Sequence, residues 1–292
     1  MAKFLITGAK GQVGYCLTKQ LIGKAEILAV DRDELDITDQ SAVKKIVEIF
    51  KPDVIINAAA HTAVDRAESE VELSEAINVK GPQYLAEAAS EIGAVILHIS
   101  TDYVFNGEGS HEYKESDETG PQGVYGRTKL AGEIAVQQAN PRFIILRTAW
   151  VFGEHGHNFV KTMLRLAKER DSLGVVGDQF GGPTYAGDIA KALIEIANQI
   201  LAGKENAFGV YHFTGQPYVS WYEFAQSIFA EAELQKLLEK QPHLKLIMTS
   251  EYPTPAKRPA NSRLDLTRIK RTFGIEPSDW QKALKNIKVY IS

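Results

Sequence analysis

Three glycines, Gly8, Gly11 and Gly14, stand between a short apolar run at residues 3–6 and a stretch, 13–22, whose apolar side chains recur at helical spacing. A turn of this kind, from a strand into a helix, lets backbone N–H groups approach a pyrophosphate, and the helix N-terminus stabilises its charge. The spacing is GxxGxxG, not GxGxxG, and glycines also occur simply as turns. The strand–loop–helix context makes a dinucleotide loop the better reading. Gly8, Gly11, Gln12, Val13 and Gly14 are then candidate cofactor contacts.

The chain continues in the same alternation. Residues 27–30 read as a second buried strand, ending in Asp31-Arg32. An acid about 20 residues past the loop can accept the adenosine ribose hydroxyls, which favours NAD. Arg32 can pair with a 2′-phosphate, which favours NADP, so NADH and NADPH both stay open as cofactor. Thr38 or Asp39 can cap a helix running to Phe50. Residues 54–56 form a third strand that leads into Asn57-Ala58-Ala59-Ala60-His61-Thr62, small residues that let a flat ligand lie close. A helix over 73–92 and a fourth strand over 95–99 follow, and the strand delivers Ser100-Thr101-Asp102 to the same sheet edge. His98 lies within that strand and reads as a packed core histidine. Strands alternating with helices predict an α/β fold with a doubly wound parallel sheet, Rossmann-like, and a smaller α/β C-terminal substrate domain.

Length and composition agree. The chain has 292 residues, enough for one large domain and a smaller one. A net charge of −4 leaves no footprint for nucleic acid. The single cysteine, Cys16, excludes a disulfide framework and a cysteine metal cluster, and it reads as a small buried apolar residue. No apolar stretch reaches the ~18 residues of a membrane span, so a cytoplasmic enzyme is expected.

Tyr125 and Lys129, four residues apart, fall on one face of a helix. An ammonium near a phenol favours the phenolate and lowers its pKa, and such a tyrosine can pass a proton to a ketone being reduced. Most pairs at this spacing only pack a lysine stem against a ring. Here Thr101, at the end of the fourth strand, would converge with them beside the nicotinamide of a bound dinucleotide.

The glycine loop, Asn57-Ala58-Ala59-Ala60-His61-Thr62-Ala63-Val64-Asp65, Ser100-Thr101-Asp102-Tyr103-Val104-Phe105 and the YxxxK helix resemble the extended short-chain dehydrogenase/reductases. More narrowly they resemble the dTDP-4-dehydrorhamnose reductase family, over essentially the whole chain. The resemblance implies reduction of the C4 keto group of dTDP-6-deoxy-L-lyxo-4-hexulose to dTDP-L-rhamnose with NADPH or NADH. It implies Tyr125, Lys129 and Thr101 as catalytic residues. To the cofactor contacts it adds Asp36, Ala58, Ala60, His61, Thr62, Tyr125 and Lys129. Thr101, Asp102, Trp150, Asn158 and Arg258 are the implied contacts to the dTDP-sugar.

The second half supplies the surroundings. Residues 143–146 form a buried strand ending near Trp150, whose indole can wall a sugar pocket or belong to the core. Asn158 opens an amphipathic helix reaching Lys168. Residues 173–176 read as a short strand before the loop Gly177–Thr184, and a helix then continues through Ile200. Residues 210–213 should add a last strand, with His212 structural. A helix over 220–238 precedes a proline-stiffened stretch, 252–264, in which Lys257, Arg258 and Arg263 are donors suited to a diphosphate or a solvated basic loop. A final helix over 280–290 has Lys282, Lys285 and Lys288 on a wet face. The expected division is 1–150 with 184–215 for the dinucleotide and 151–183 with 216–292 for the sugar nucleotide.

Rival readings remain. A dehydratase needs an acidic pair where this chain has Asp102-Tyr103, so it is disfavoured. A C4 epimerase would keep its nicotinamide bound through turnover. The regulatory subunit of methionine adenosyltransferase also looks like this family and is not catalytic. Some members dimerise through glutamate-bound magnesium, but here those places hold Tyr15 and Gly187. No metal is expected, and a homodimer remains open.

Overall fold

A computed structural model describes residues 1–238 and 240–291. Its centre is a six-stranded sheet. Five strands come from the first half: β1 (Lys3–Thr7), β2 (Glu26–Val30), β3 (Val54–Asn57), β4 (Val95–Thr101) and β5 (Phe143–Thr148). The sixth is Gly209–His212. The order across the sheet is Gly209–His212, β5, β4, β3, β1, β2, and every pairing is parallel. Parallel strands are buried on both faces, which is why Val54-Ile55-Ile56 is apolar without alternation.

The two faces carry separate cores. Phe4 and Ile6 pack with Val13 and Leu17 of α1 (Gln12–Leu21) and with Ile189 and Leu193 of the helix Ala186–Leu201. Leu5 points the other way, to Val43 and Val47 of α2 (Gln40–Phe50) and to Leu85 and Ala89. Asp39 caps α2 by accepting from the Ala42 N–H at 3.0 Å. Burying one such Ile or Leu side chain stabilises by about 1.5–3 kcal/mol.

The chain leaves β1 outward to β2 and returns on the other side as β3. β1 and β3 stay paired to Thr7 and Asn57, but the helices that follow them pack on opposite faces of the sheet, and open α/β sheets bind ligands in the crevice at such a reversal.

Three stretches differ from the sequence expectation. The helix expected over 73–92 is interrupted: Val71–Glu75 and Gly81–Glu91 flank a π-helical turn, Ala76–Lys80. Asn78 in that turn donates to Thr128 at 3.1 Å and accepts from the His61 N–H at 2.8 Å, so the wider turn is held from outside the helix. The helix expected over 220–238 spans Trp221–Leu234, with Ser220 and Glu223 forming a capping box. The helix expected over 280–290 stops at Leu284 and resumes as a 3₁₀ turn, Ile287–Tyr290. Trp280, Leu284, Ile287 and Tyr290 are buried there, while Lys282, Lys285 and Lys288 are exposed.

A third core joins Phe152, Val160 and Leu164 to Phe224, Phe229, Trp280 and Tyr290. Its small ribbon pairs Ser172–Val176 in parallel with His243–Ile247. The helix Thr267–Phe273, by contrast, sends Ile269 and Phe273 back into the first core.

Candidate active site

The glycine loop fits a backbone-lined cradle. Gly8 has φ +69°, and a Cβ there would lie 2.7 Å from the Ala59 nitrogen and 2.8 Å from the Ala58 oxygen. A Cβ on Gly14 would lie 2.0 Å from the Gly8 oxygen. The loop backbone therefore packs directly against the residues that follow β3, and α1 begins at its end. Asp31 closes one end. Its Oδ2 accepts from the Lys10 N–H and its Oδ1 from the Arg32 N–H, both at 2.8 Å. Arg32 is exposed beside it.

The other expected cofactor residues have partners within the fold or lie along the strand-end loop. Asp36 Oδ1 accepts from both the N–H and the hydroxyl of Thr38, a local turn that holds its carboxyl below the usual range. The His61 ring is held between Ser74 at 2.9 Å and Glu70 at 3.0 Å. Gln12 Oε1 accepts from Asn158 at 3.1 Å. Ala58 and Ala60 are half-buried and Thr62 is exposed along the strand-end loop.

The helix Val124–Ala139 carries Tyr125 and Lys129. It lies against β4 and the turn after it because it has glycines where it must. A Cβ on Gly126 would sit 2.2 Å from the Tyr103 oxygen, and one on Gly132 would sit 2.0 Å from the Asn78 oxygen. Glu68 accepts from the Val124 N–H at 2.8 Å, which satisfies one free donor of the helix start.

The Tyr125 ring meets Tyr103 edge-on, with centroids 5.3 Å apart. Burial pushes the phenol up to about 12; the Thr101 hydroxyl facing it opposes the shift and the Asp102 charge adds to it. This corrects one expectation, because Lys129 is not what tunes the phenol in this state. Lys129 is 2% exposed, and its amine donates to the Ile99 carbonyl at 2.7 Å. Burial pulls it down to about 8, against the attraction of Glu133 one turn further on. Glu133 is itself held by Arg147, at 2.9 and 2.7 Å, and by Ser100 at 2.5 Å.

Thr101 donates to Asp102 Oδ1 at 3.0 Å and accepts from the Tyr103 N–H at 3.2 Å. Ser262 donates to Asp102 Oδ2 at 2.5 Å. Burial raises the Asp102 carboxyl to about 6 despite these two donors. Sequence reasoning missed Ser262, whose partner is 160 residues away.

Trp150 adopts φ +50° and stacks on Trp221, with centroids 3.6 Å apart and planes 13° from parallel. Trp221 had no sequence signal beyond its place at a helix start. Asn158 caps the helix Phe159–Glu169 with its Oδ1, and its amide donates to Gly153 and Gln12. Arg258 Nη2 donates to Asp65 at 2.6 Å and the guanidinium also faces the Tyr103 hydroxyl, while Nη1 is buried without a partner among the described residues. An orphaned guanidinium N–H beside the crevice fits an anionic oxygen. At the places considered for magnesium, Tyr15 stacks on His155 at 4.4 Å and Gly187 packs under the Tyr185 ring.

Among the described residues no helix is long and apolar enough to cross a membrane. Residues 2–290 match the family described as RmlD substrate binding domain. A dTDP-4-dehydrorhamnose reductase of Aggregatibacter actinomycetemcomitans is 59% identical over 292 residues, 99% of both chains. The crystal structure of a dTDP-4-dehydrorhamnose reductase from Clostridium acetobutylicum superimposes with a TM-score of 0.90, at 44% identity over 97% of both chains. That of the Bacillus anthracis enzyme, in complex with NADP, gives 0.91 at 36% identity over 99% of both.

Proposed function

The chain belongs to the RmlD family, and from that premise we propose that it reduces the C4 keto group of dTDP-6-deoxy-L-lyxo-4-hexulose to give dTDP-L-rhamnose, in the cytoplasm. The observation that carries this reading is the meeting of Tyr125, Thr101 and Lys129 at the C-terminal end of β4, next to the crevice at the β1–β3 reversal. NADPH or NADH supplies the hydride when bound there.

The residues of the chain do the rest. The glycine loop at Gly8, Gly11 and Gly14 takes the diphosphate of the dinucleotide, and Asp31 with Arg32 takes the adenosine ribose. Tyr125, a neutral phenol at physiological pH, gives its proton to the oxygen as charge develops there. An alcohol is a weaker acid than a phenol, so this transfer runs downhill. Thr101 holds Asp102, and Asp102 with Trp150 orients the sugar. Arg258 takes a phosphate oxygen of the dTDP group with its free Nη1. We read the chain as two lobes, 1–150 with 184–215 and 151–183 with 216–292, the site lying along their border.

The test is to mix the protein with NADPH or NADH and the dTDP-4-keto-6-deoxy sugar, follow absorbance and identify the product. Stoichiometric cofactor oxidation with dTDP-L-rhamnose formed is the expected result. Sugar interconversion without cofactor consumption would replace the reading by an epimerase. Inertness towards keto-sugar nucleotides would leave a non-catalytic partner protein.

A further inference from the structure

The polar atoms around His98 fix one another in turn. Asn57 Oδ1 accepts from the Ala59 backbone N–H at 3.1 Å and from the Thr7 hydroxyl at 2.7 Å. A backbone amide can only donate, so the Asn57 amide has one orientation, and its Nδ2 faces His98 Nδ1 at 3.0 Å. An amide nitrogen also only donates, so His98 Nδ1 carries no proton and the ring proton is on Nε2. His98 is fully buried; burial, with the Lys129 charge acting the same way, holds it well below the usual imidazole range, so it stays neutral. Its Nε2–H faces the Lys129 amine across 3.5 Å.

An ammonium has no lone pair to accept an N–H, whereas a neutral amine has one. The chain Thr7–Asn57–His98 therefore presents a fixed donor to a lysine that, by burial, lies near about 8. The other charged and titratable groups around Lys129 are Tyr125 and Glu133 on its own helix, Arg147 of β5, which is paired to Glu133, and Asp102 beyond the Tyr125 ring.

We propose that His98 is a positioning residue for proton supply, holding through its Nε2–H the neutral amine that Lys129 becomes when it gives up a proton to restore Tyr125. The idea rests on the reductase reading. The Tyr125 O–H bond breaks as the new alcohol takes the proton, and the phenolate regains a proton at the expense of a Lys129 N–H. The amine left behind accepts from His98 until solvent reprotonates it. No redox partner is needed beyond the reduced nicotinamide of the proposed reaction.

Two measurements test it. In ¹⁵N-histidine-labelled protein, His98 should appear as a neutral, Nε2-protonated ring from about pH 6 to 9, with an inflection near 8 that vanishes in Lys129→Met. A ring protonated on Nδ1, or no inflection, overturns the proposal whether or not the protein turns over substrate. In His98→Asn the shorter amide still meets Asn57 but cannot reach Lys129. Its kcat should fall about tenfold with KM for the cofactor nearly unchanged, and the alkaline limb of kcat should move up by about one pH unit. A lower kcat with an unmoved limb would make His98 merely structural. Failure of the wild-type protein to reduce the keto-sugar would instead strike at the reductase reading and leave the histidine spectrum as the judge of the proton link.

Discussion

Burial keeps Tyr125 a neutral phenol, so Tyr125→Phe removes a proton without removing a charge. The edge contact to Tyr103 survives in the variant, and NADPH binding should be within about twofold of wild type by fluorescence titration, while kcat drops by about 10²–10⁴-fold. Equal turnover would show that the proton comes from elsewhere. Asp102 offers a second, opposite titration. Its carboxyl, raised by burial to about 6, is ionised only above that pH, and in the proposed role it would accept sugar hydroxyls in that form. The ratio kcat/KM for the dTDP-sugar should fall below about pH 6, and the limb should be absent from Asp102→Asn. Stability follows the sign of the shift. A folded-state pKa above the unfolded value contributes stability at low pH that is lost as pH rises through the folded value. The Tm of wild type minus that of Asp102→Asn should therefore decline between about pH 4 and 6 and be flat above it.

The helix Val124–Ala139 owes its position to two glycines that the Tyr-Lys spacing did not reveal. Gly132→Ala would put a methyl 2.0 Å from the Asn78 oxygen, which is backbone and cannot rotate away. The helix must move, and the variant should lose about 1–3 kcal/mol in chemical denaturation together with much of its kcat, because Tyr125 and Lys129 ride on the same helix. A stable and fully active variant would mean that the π-helical turn can yield. That turn also marks the limit of what sequence could tell. The strands of the main sheet were legible because strands buried on both faces read as unbroken apolar runs, as in Val54-Ile55-Ile56. The strand His243–Ile247 was not, because it is largely exposed at an edge and its lysine breaks the pattern. Tyr125, Lys129 and Thr101 were legible from i, i+4 spacing and from a strand end. Where the Lys129 amine goes was not, because its partners, Ile99 and His98, are reached across the fold. The capping role of Asn158 was not legible either, since a side chain that caps a helix looks in sequence like any other polar residue before an apolar stretch.

At the scale of the whole molecule, three contacts tie the stretches expected to hold the sugar nucleotide to the edge of the main sheet. Trp150 stacks on Trp221, Ser262 donates to Asp102, and Arg258 donates to Asp65. With Tyr15 and Gly187 at the places considered for magnesium, activity should survive a chelator such as EDTA, and complete inhibition would reveal a metal requirement. Arg258 is the contact that a substrate would change most. Its Nη2 is committed to Asp65, its guanidinium also faces the Tyr103 hydroxyl, and its Nη1 is buried with no acceptor among the described residues, a deficit that an anionic oxygen would relieve. Charge-assisted bonds of this kind contribute about 1.5–3 kcal/mol. Arg258→Met, which keeps much of the apolar stem, should raise KM for the dTDP-sugar at least about tenfold while leaving NADPH affinity unchanged, since the proposed dinucleotide loop is at Gly8 to Gly14. Arg258→Lys keeps the charge but cannot serve Asp65 and a phosphate with two nitrogens, so it should fall between wild type and methionine. If both variants bind substrate like wild type, the diphosphate lies elsewhere and Arg258 only fastens the loop. If NADPH affinity falls in parallel, the Asp65–Arg258 pair instead shapes the crevice that β3 opens onto.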